Sequence, residues 1–173
     1  MAQTHDLIVV GGGPGGYVAA IRAAQLRMKV ALVEREHLGG VCLNWGCIPT
    51  KALLRSAEVL THLHHAGEHG IRVQGVEVDL KTMVARSRAV AAQLQSGVRG
   101  LLRRSGVEVV EGSARLAGPQ CVAVQGRDGG TTERRAPHIV LATGARPRVL
   151  PGLEPDARLV WTYREAMTPP ALP

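Results

Sequence analysis

Asp6-Leu7-Ile8-Val9-Val10-Gly11-Gly12-Gly13-Pro14-Gly15-Gly16 is the stretch that decides the fold. A short apolar run stops at a cluster of glycines, and Val18, Ile21 and Leu26 then recur at helical spacing. The order is a buried strand over 6–10, a tight turn, and a helix over 17–26, the setting in which a GxGxxG pattern acquires physical meaning. Gly11 would make the turn, Gly13 would let backbone approach a pyrophosphate, and Gly16 would let the helix pack close to the strand. Pro14 and Gly15 lie between them, where the phosphates would rest on the helix N-terminus.

Outward from this stretch, Lys29-Val30-Ala31-Leu32-Val33 reads as a second strand, and it ends in Glu34, 23 positions after Gly11. An acid at about that distance holds ribose hydroxyls, so the segment forms a complete βαβ unit for an adenine dinucleotide. The same carboxylate would repel a 2′-phosphate.

Gly39-Gly40-Val41-Cys42-Leu43-Asn44-Trp45-Gly46-Cys47-Ile48-Pro49-Thr50-Lys51 comes next and carries two of the three cysteines, five positions apart. On a regular helix that separation means a rise of roughly 7.5 Å with side chains facing apart. A disulfide needs α-carbons within about 7 Å, so a Cys42–Cys47 bond cannot lie on one undistorted helix. The glycines supply a pliant backbone, and Pro49 suits the first turn of a helix. Two thiols at a helix entrance beside Lys51 are placed to favour a thiolate. Buried inert cysteines and a structural staple are the alternatives, and neither accounts for Lys51.

A chain of 173 residues has room for one domain with a real core. Aromatic residues make up 2% and Phe is absent, so that core rests on Leu, Val, Ile and Ala. Lys and Arg number 21 against 14 acidic residues, a net charge of +7. The arginines are dispersed, too few aromatics exist to stack bases, and no helix-turn-helix or zinc-finger pattern occurs, which argues against nucleic acid. Cofactor phosphates or an acidic protein partner would use the charge equally well. An odd cysteine count with one close pair fits a redox dithiol in a reducing, cytoplasmic compartment better than a secreted disulfide framework. No secretory signal is visible, and no apolar stretch is long enough to cross a bilayer.

Further along, 51–63 reads as a helix with Leu53, Leu54, Ala57, Leu60 and Leu63 on one side. His62, His65 and His69 near its end share a face, but no local carboxylate or cysteine completes a metal site, and no metal is expected. Residues 71–78 read as a loop. Asp79 caps a long helix over 80–104, whose Lys81, Arg88, Gln95, Arg99 and Arg103 read as a solvated face. Strands over 107–110, 114–116, 121–125 and 131–135 suggest a meander at about 107–135, with Cys121 as a small core residue. Ile139-Val140-Leu141-Ala142-Thr143-Gly144 reads as a central parallel strand whose carboxyl end faces a ligand. The proline-rich 146–173 reads as a connector.

Together Gly11–Gly16 with Glu34, the Gly39–Leu54 run and Ala142-Thr143-Gly144 resemble the flavoprotein pyridine nucleotide-disulfide oxidoreductases, and among them the dihydrolipoamide-oxidising branch. Glutathione and mercuric reductases are similar around the cysteines but differ after the second one. The resemblance implies an α/β, Rossmann-like FAD-binding domain with a parallel sheet and an inserted meander over 1–145. It implies FAD as cofactor, with NAD in the complete enzyme. Gly11, Gly13, Pro14, Gly15 and Gly16 would hold the pyrophosphate, and Glu34 with Arg35 the adenosine side. Gly40, Val41, Cys42, Lys51, Gly112, Ala142, Thr143 and Gly144 would line the remainder. Cys42 would be the interchange thiol, and Cys47 would lie against the flavin as a charge-transfer thiolate. The partners implied are the lipoyl group of a 2-oxoacid dehydrogenase complex and, in the complete enzyme, a second subunit. The family continues into an NAD-binding unit and a dimerisation domain, so 1–173 reads as an amino-terminal portion, inactive alone. A non-catalytic FAD-binding module, half of a split protein, or a related disulfide reductase are the alternatives.

Overall fold

The computed structural model describes residues 3–172. In chain order these form β1 (Gln3–Thr4), β2 (Leu7–Val10), α1 (Pro14–Gln25), β3 (Val30–Glu34), α2 (Gly40–Trp45) and α3 (Cys47–His64). A 3-10 turn (Ala66–His69) precedes α4 (Leu80–Arg104), β4 (Glu108–Glu111), β5 (Ser113–Gly118), β6 (Cys121–Gln125), β7 (Thr131–Arg135), β8 (His138–Leu141) and α5 (Tyr163–Ala166). They divide into two compact units, one made by the residues up to 43 with 94–146, the other by 44–93 with the residues from 147 on.

The first unit holds all the strands among the described residues. Four of them form a parallel sheet in the order β4-β3-β2-β8. β2 and β3 are continuous Val, Ile, Leu and Ala runs, and Ile8, Val9, Ala31 and Leu32 are fully buried, as strands covered on both faces must be. Helix α1 buries Gly16, Ala20 and Ala23 and packs on β2 and β3. A second sheet, β1-β7-β6-β5, is antiparallel from β5 to β7. Its Val122 and Val124 pack with Ala136 against Ile8, Val10, Ala31 and Val33. Each fully buried Val or Ile of this cluster contributes about 1.5–3 kcal/mol relative to exposure.

Two strands are placed differently from the sequence expectation. β4 does not open the meander; it pairs parallel to β3, with Val109 opposite Leu32. A strand returning from a long helix completes a crossover, and Gly112 alone separates β4 from β5, so the chain changes sheet there. β8 pairs only with β2 among the described residues and is an edge strand, with Val140 37% and Leu141 59% exposed. Composition reports how apolar a strand is, whereas its place in the sheet comes from pairing. Cys121 is buried in β6, as expected.

A polar cluster joins the two sheets. His5 Nε2 lies 2.8 Å from Glu108 Oε2, and Arg134 Nη1 donates to Glu108 Oε1 at 2.8 Å. Burial pushes the Glu108 carboxyl up, but the bonds from His5 and Arg134 outweigh it and hold the pKa below the usual carboxylate value. A depressed folded-state pKa contributes stability that is present above the unfolded value and lost as pH falls through the folded one. Thermal melts should therefore show the midpoint falling as pH drops below about 4.3, and Glu108→Gln should flatten that slope. An unchanged slope in the variant would assign the acid sensitivity to other carboxylates.

In the second unit α3 runs from Cys47, four residues earlier than the sequence suggests. Its apolar row stays largely open, with Leu54 59% and Leu63 38% exposed. Asp79 caps α4 as expected, accepting from Thr82 N at 3.1 Å, and its bonds to Thr82 hold its carboxyl below the usual range. The stretch read as a connector contains α5, fixed by a capping box in which Thr162 accepts from Arg164 N and Glu165 accepts from Thr162 N. Thr50 Oγ1 on α3 donates to Met167 Sδ at 3.4 Å, just past α5. No helix among the described residues is long and apolar enough to cross a membrane.

Candidate functional site

Four of the segments singled out in the sequence end up at one place in the first unit, the carboxyl edge of the parallel sheet. Gly11 follows β2, Glu34 closes β3, Gly112 follows β4 and Ala142 follows β8. The chain leaves β2 toward β3 on one side while β8 pairs on the other, so the crevice above β2 is a switch point of the kind where α/β sheets bind ligands.

Backbone bonds tie these segments together. Gly11 N donates to Val33 O at 2.8 Å, Ala142 N to Val10 O at 2.8 Å, and Gly112 N to Glu34 O at 2.9 Å. Gly11 has φ of 106°, and a β-carbon placed there would stand 2.2 Å from the Ala142 carbonyl oxygen, so both conformation and space require glycine. Glu34 Oε2 accepts from Gly12 N at 2.6 Å and Oε1 from Glu36 N at 2.7 Å. The acid at the end of β3 thus braces the glycine turn, a contact the sequence motif did not reveal. A carboxylate offers about four acceptor positions, which leaves room for further donors such as ribose hydroxyls.

Helix α1 begins at Pro14 with Gly13 as its cap residue, no side-chain cap and no acid in its first turn. A β-carbon on Gly15 would meet nothing within 4 Å. An uncapped N-terminus beside open space is where an anion is favoured. Beside Glu34 a cavity of about 280 Å³ is walled by Glu36, Arg99, Glu111 and Arg127. Arg99 and Arg127 lie 3.7 and 3.4 Å from Glu111. Arg35 is exposed at the end of β3.

The cysteine stretch is more ordered than its glycines suggest. Cys42 lies on the first turn of α2 and is half-buried. Gly40 opens that helix with φ of 56°, and a β-carbon on it would stand 2.8 Å from Gly13 Cα. Val41 is exposed beside it. Gly46 interrupts the path at φ −130° and ψ −109°, and α3 starts at Cys47, which is exposed, with exposed Lys51 one turn on. Each cysteine sits at the start of its own helix. No disulfide is present among the described residues. Thr143 and Gly144 are exposed beyond β8. The histidines near the end of α3 make no metal cluster among the described residues; His65 Nδ1 lies 2.8 Å from Thr61 O and His62 is 3.8 Å from Glu58.

Comparison with known proteins bears on this arrangement. The family model for pyridine nucleotide-disulphide oxidoreductases matches residues 5–169. The chain belongs to that family. Within it, a dihydrolipoyl dehydrogenase of Rhizobium etli is 51% identical over 188 residues, covering 100% of this chain and 39% of its own length. Another, from Zymomonas mobilis, is 55% identical over 173 residues, covering 100% of this chain and 37% of its own. The crystal structure of LpdA (Rv3303c) from Mycobacterium tuberculosis superposes with a TM-score of 0.88 at 29% identity, covering 99% of this chain and 38% of that one. The chain therefore spans less than two fifths of the length of these relatives.

Proposed function

We propose that this chain carries the flavin cradle and the redox dithiol of a dihydrolipoamide dehydrogenase, with residues 1–145 as the FAD-binding domain and 146–173 leading out of it. One observation carries the reading. Gly40, which opens the helix of Cys42, lies against Gly13 of the glycine turn, and this close approach supports reading Cys42 as a neighbour of the phosphate cradle.

The residues present fit FAD. The free amides at the start of α1 suit its pyrophosphate and Glu34 its ribose hydroxyls, while Arg35, Gly40, Val41, Lys51, Gly112 and Ala142 to Gly144 are the remaining residues assigned to it. When bound, FAD supplies two-electron chemistry, accepting an electron pair from a dithiol and passing a hydride to NAD in the complete enzyme. The chain's own cysteines do the thiol work. A substrate thiolate attacks Sγ of Cys42 in the Cys42–Cys47 disulfide, and Cys47 leaves as a thiolate. The second substrate thiol, losing its proton, then attacks the mixed disulfide, closes the lipoyl ring and releases Cys42. One disulfide is lost and one is made, and two electrons pass to the protein. The lipoyl group would come from a 2-oxoacid dehydrogenase complex, and the complete enzyme would work as a homodimer.

Anaerobic dithionite titration of the chain loaded with FAD tests this. The expected result is a long-wavelength absorbance band at the two-electron level, lost in Cys47→Ser. A chain that takes up no FAD contradicts the cradle, and one that takes it up without the band contradicts the placing of Cys47.

A further inference from the structure

Helical spacing puts Arg88 of α4 on a solvated face with Lys81 and Arg99, but the structure places it elsewhere. Arg88 Nη1 donates to the Asn44 carbonyl oxygen at 2.6 Å, and its guanidinium carbon lies 4.9 Å from the centre of the Trp45 ring. Nε and Nη2 of Arg88 are buried without a hydrogen-bond partner. Such groups are costly, so the side chain is held there by compensating contacts, the short bond to Asn44 and the aromatic face. A second guanidinium, that of Arg164 on α5, lies 5.2 Å from the same ring. Two like charges share one ring, and the ring's negative face is what makes that arrangement tolerable.

Asn44 and Trp45 are the middle of the four-residue bridge between Cys42 and Cys47. We propose that Arg88 and Arg164 clamp this bridge through the Asn44 carbonyl and the Trp45 ring, and that the clamp is a positioning device for the cysteine pair. Closing a ring over four residues requires them to adopt one arrangement, and each freedom already lost in the dithiol state is one that closure need not remove. With Asn44 tied and Trp45 held, little of the bridge is left to order beyond Leu43, which is buried, and Gly46. Neither arginine touches a reacting sulfur in this scheme; both act through the chain between the sulfurs. The inference rests on the reading of Cys42 and Cys47 as an exchanging pair.

Equilibration with glutathione tests it without any flavin. The reaction is oxidised glutathione plus the two chain thiols giving two reduced glutathiones plus the Cys42–Cys47 disulfide, so electrons and protons balance. The pair is quenched by alkylation and the disulfide fraction read by mass spectrometry across glutathione ratios. Arg88→Met and Trp45→Leu should each lower the closure constant about tenfold, in keeping with the loss of a partly desolvated cation–π contact. Their combination should cost little more than either alone, since both remove one device. Arg88→Lys, which keeps a cation at the ring, should stay within about threefold of wild type. The differences should vanish in strong denaturant, where no clamp exists; a general loss of structure would show instead in the melting profile. Should Arg88→Met not fold, Trp45→Phe and Arg88→Lys carry the comparison, Trp45→Phe falling between wild type and Trp45→Leu. Closure constants unchanged in every folded variant, or moved toward the disulfide, overturn the clamp alone. Absence of any Cys42–Cys47 disulfide in the wild-type chain overturns both the clamp and the reading it rests on.

Discussion

Gly16→Ala is expected to destabilise the sheet-bearing unit strongly. A β-carbon at that position would stand 1.8 Å from the Gly11 carbonyl oxygen and 2.9 Å from its carbon, both backbone atoms of the turn leaving β2. No rotamer relieves a clash of that kind, because neither partner is a side chain. The helix would have to lift from β2 and β3, and Ala20 and Ala23, buried on the same helix, would lose their packing. Inserting atoms into a well-packed site costs about 1–3 kcal/mol and occasionally more, and a backbone clash lies at the upper end of that range. Against a total stability of about 5–15 kcal/mol the effect is large, and it reaches the cradle as well as the core. The measurement is thermal or urea unfolding followed by circular dichroism. Gly15→Ala is the matched comparison, since a β-carbon there meets nothing within 4 Å, and it should change stability little. Equal destabilisation by both would show that the close approach of α1 to the turn is not what makes Gly16 necessary.

The same helix shows why much of this fold can be read from the chain. Strand, turn and helix over Leu7–Gln25 announce themselves through local chemistry: an apolar run, glycines where backbone must pass close, a proline at the first helical turn. Glu34 is legible for the same reason, as an acid closing an apolar strand at a fixed distance from the glycines. Less legible is anything decided by contacts distant in sequence. Whether Val109 belongs to a meander or to the parallel sheet depends on the path of α4, not on the residues of β4. Arg88 belongs by periodicity to a solvated row, but the acceptor that captures it is a backbone carbonyl 44 residues away. Likewise α5 is too short to show helical periodicity, and only its Thr162–Glu165 capping pair could have signalled it amid the prolines. The bond from Gly12 to Glu34 lies between these cases, since both residues stand out in the sequence and only their pairing had to be seen.

The cysteine stretch depends on both kinds of information. Spacing rules out one undistorted helix carrying a Cys42–Cys47 bond, and the structure agrees by breaking the path at Gly46 into α2 and α3. Cys121 is buried in β6, away from solvent, and takes no part in the proposed chemistry. The account therefore predicts chemistry at two of three thiols and none at the third, and the contrast is large because burial denies the third its access. Thiol–disulfide exchange with lipoamide itself reads this out directly. The reduced chain is mixed anaerobically with oxidised lipoamide, quenched by alkylation and mapped by mass spectrometry. The account predicts an intrachain Cys42–Cys47 disulfide, an equal amount of dihydrolipoamide, and Cys121 still a thiol, with the intrachain disulfide lost in Cys47→Ser. A chain that lipoamide leaves fully reduced, or a disulfide that includes Cys121, would contradict it.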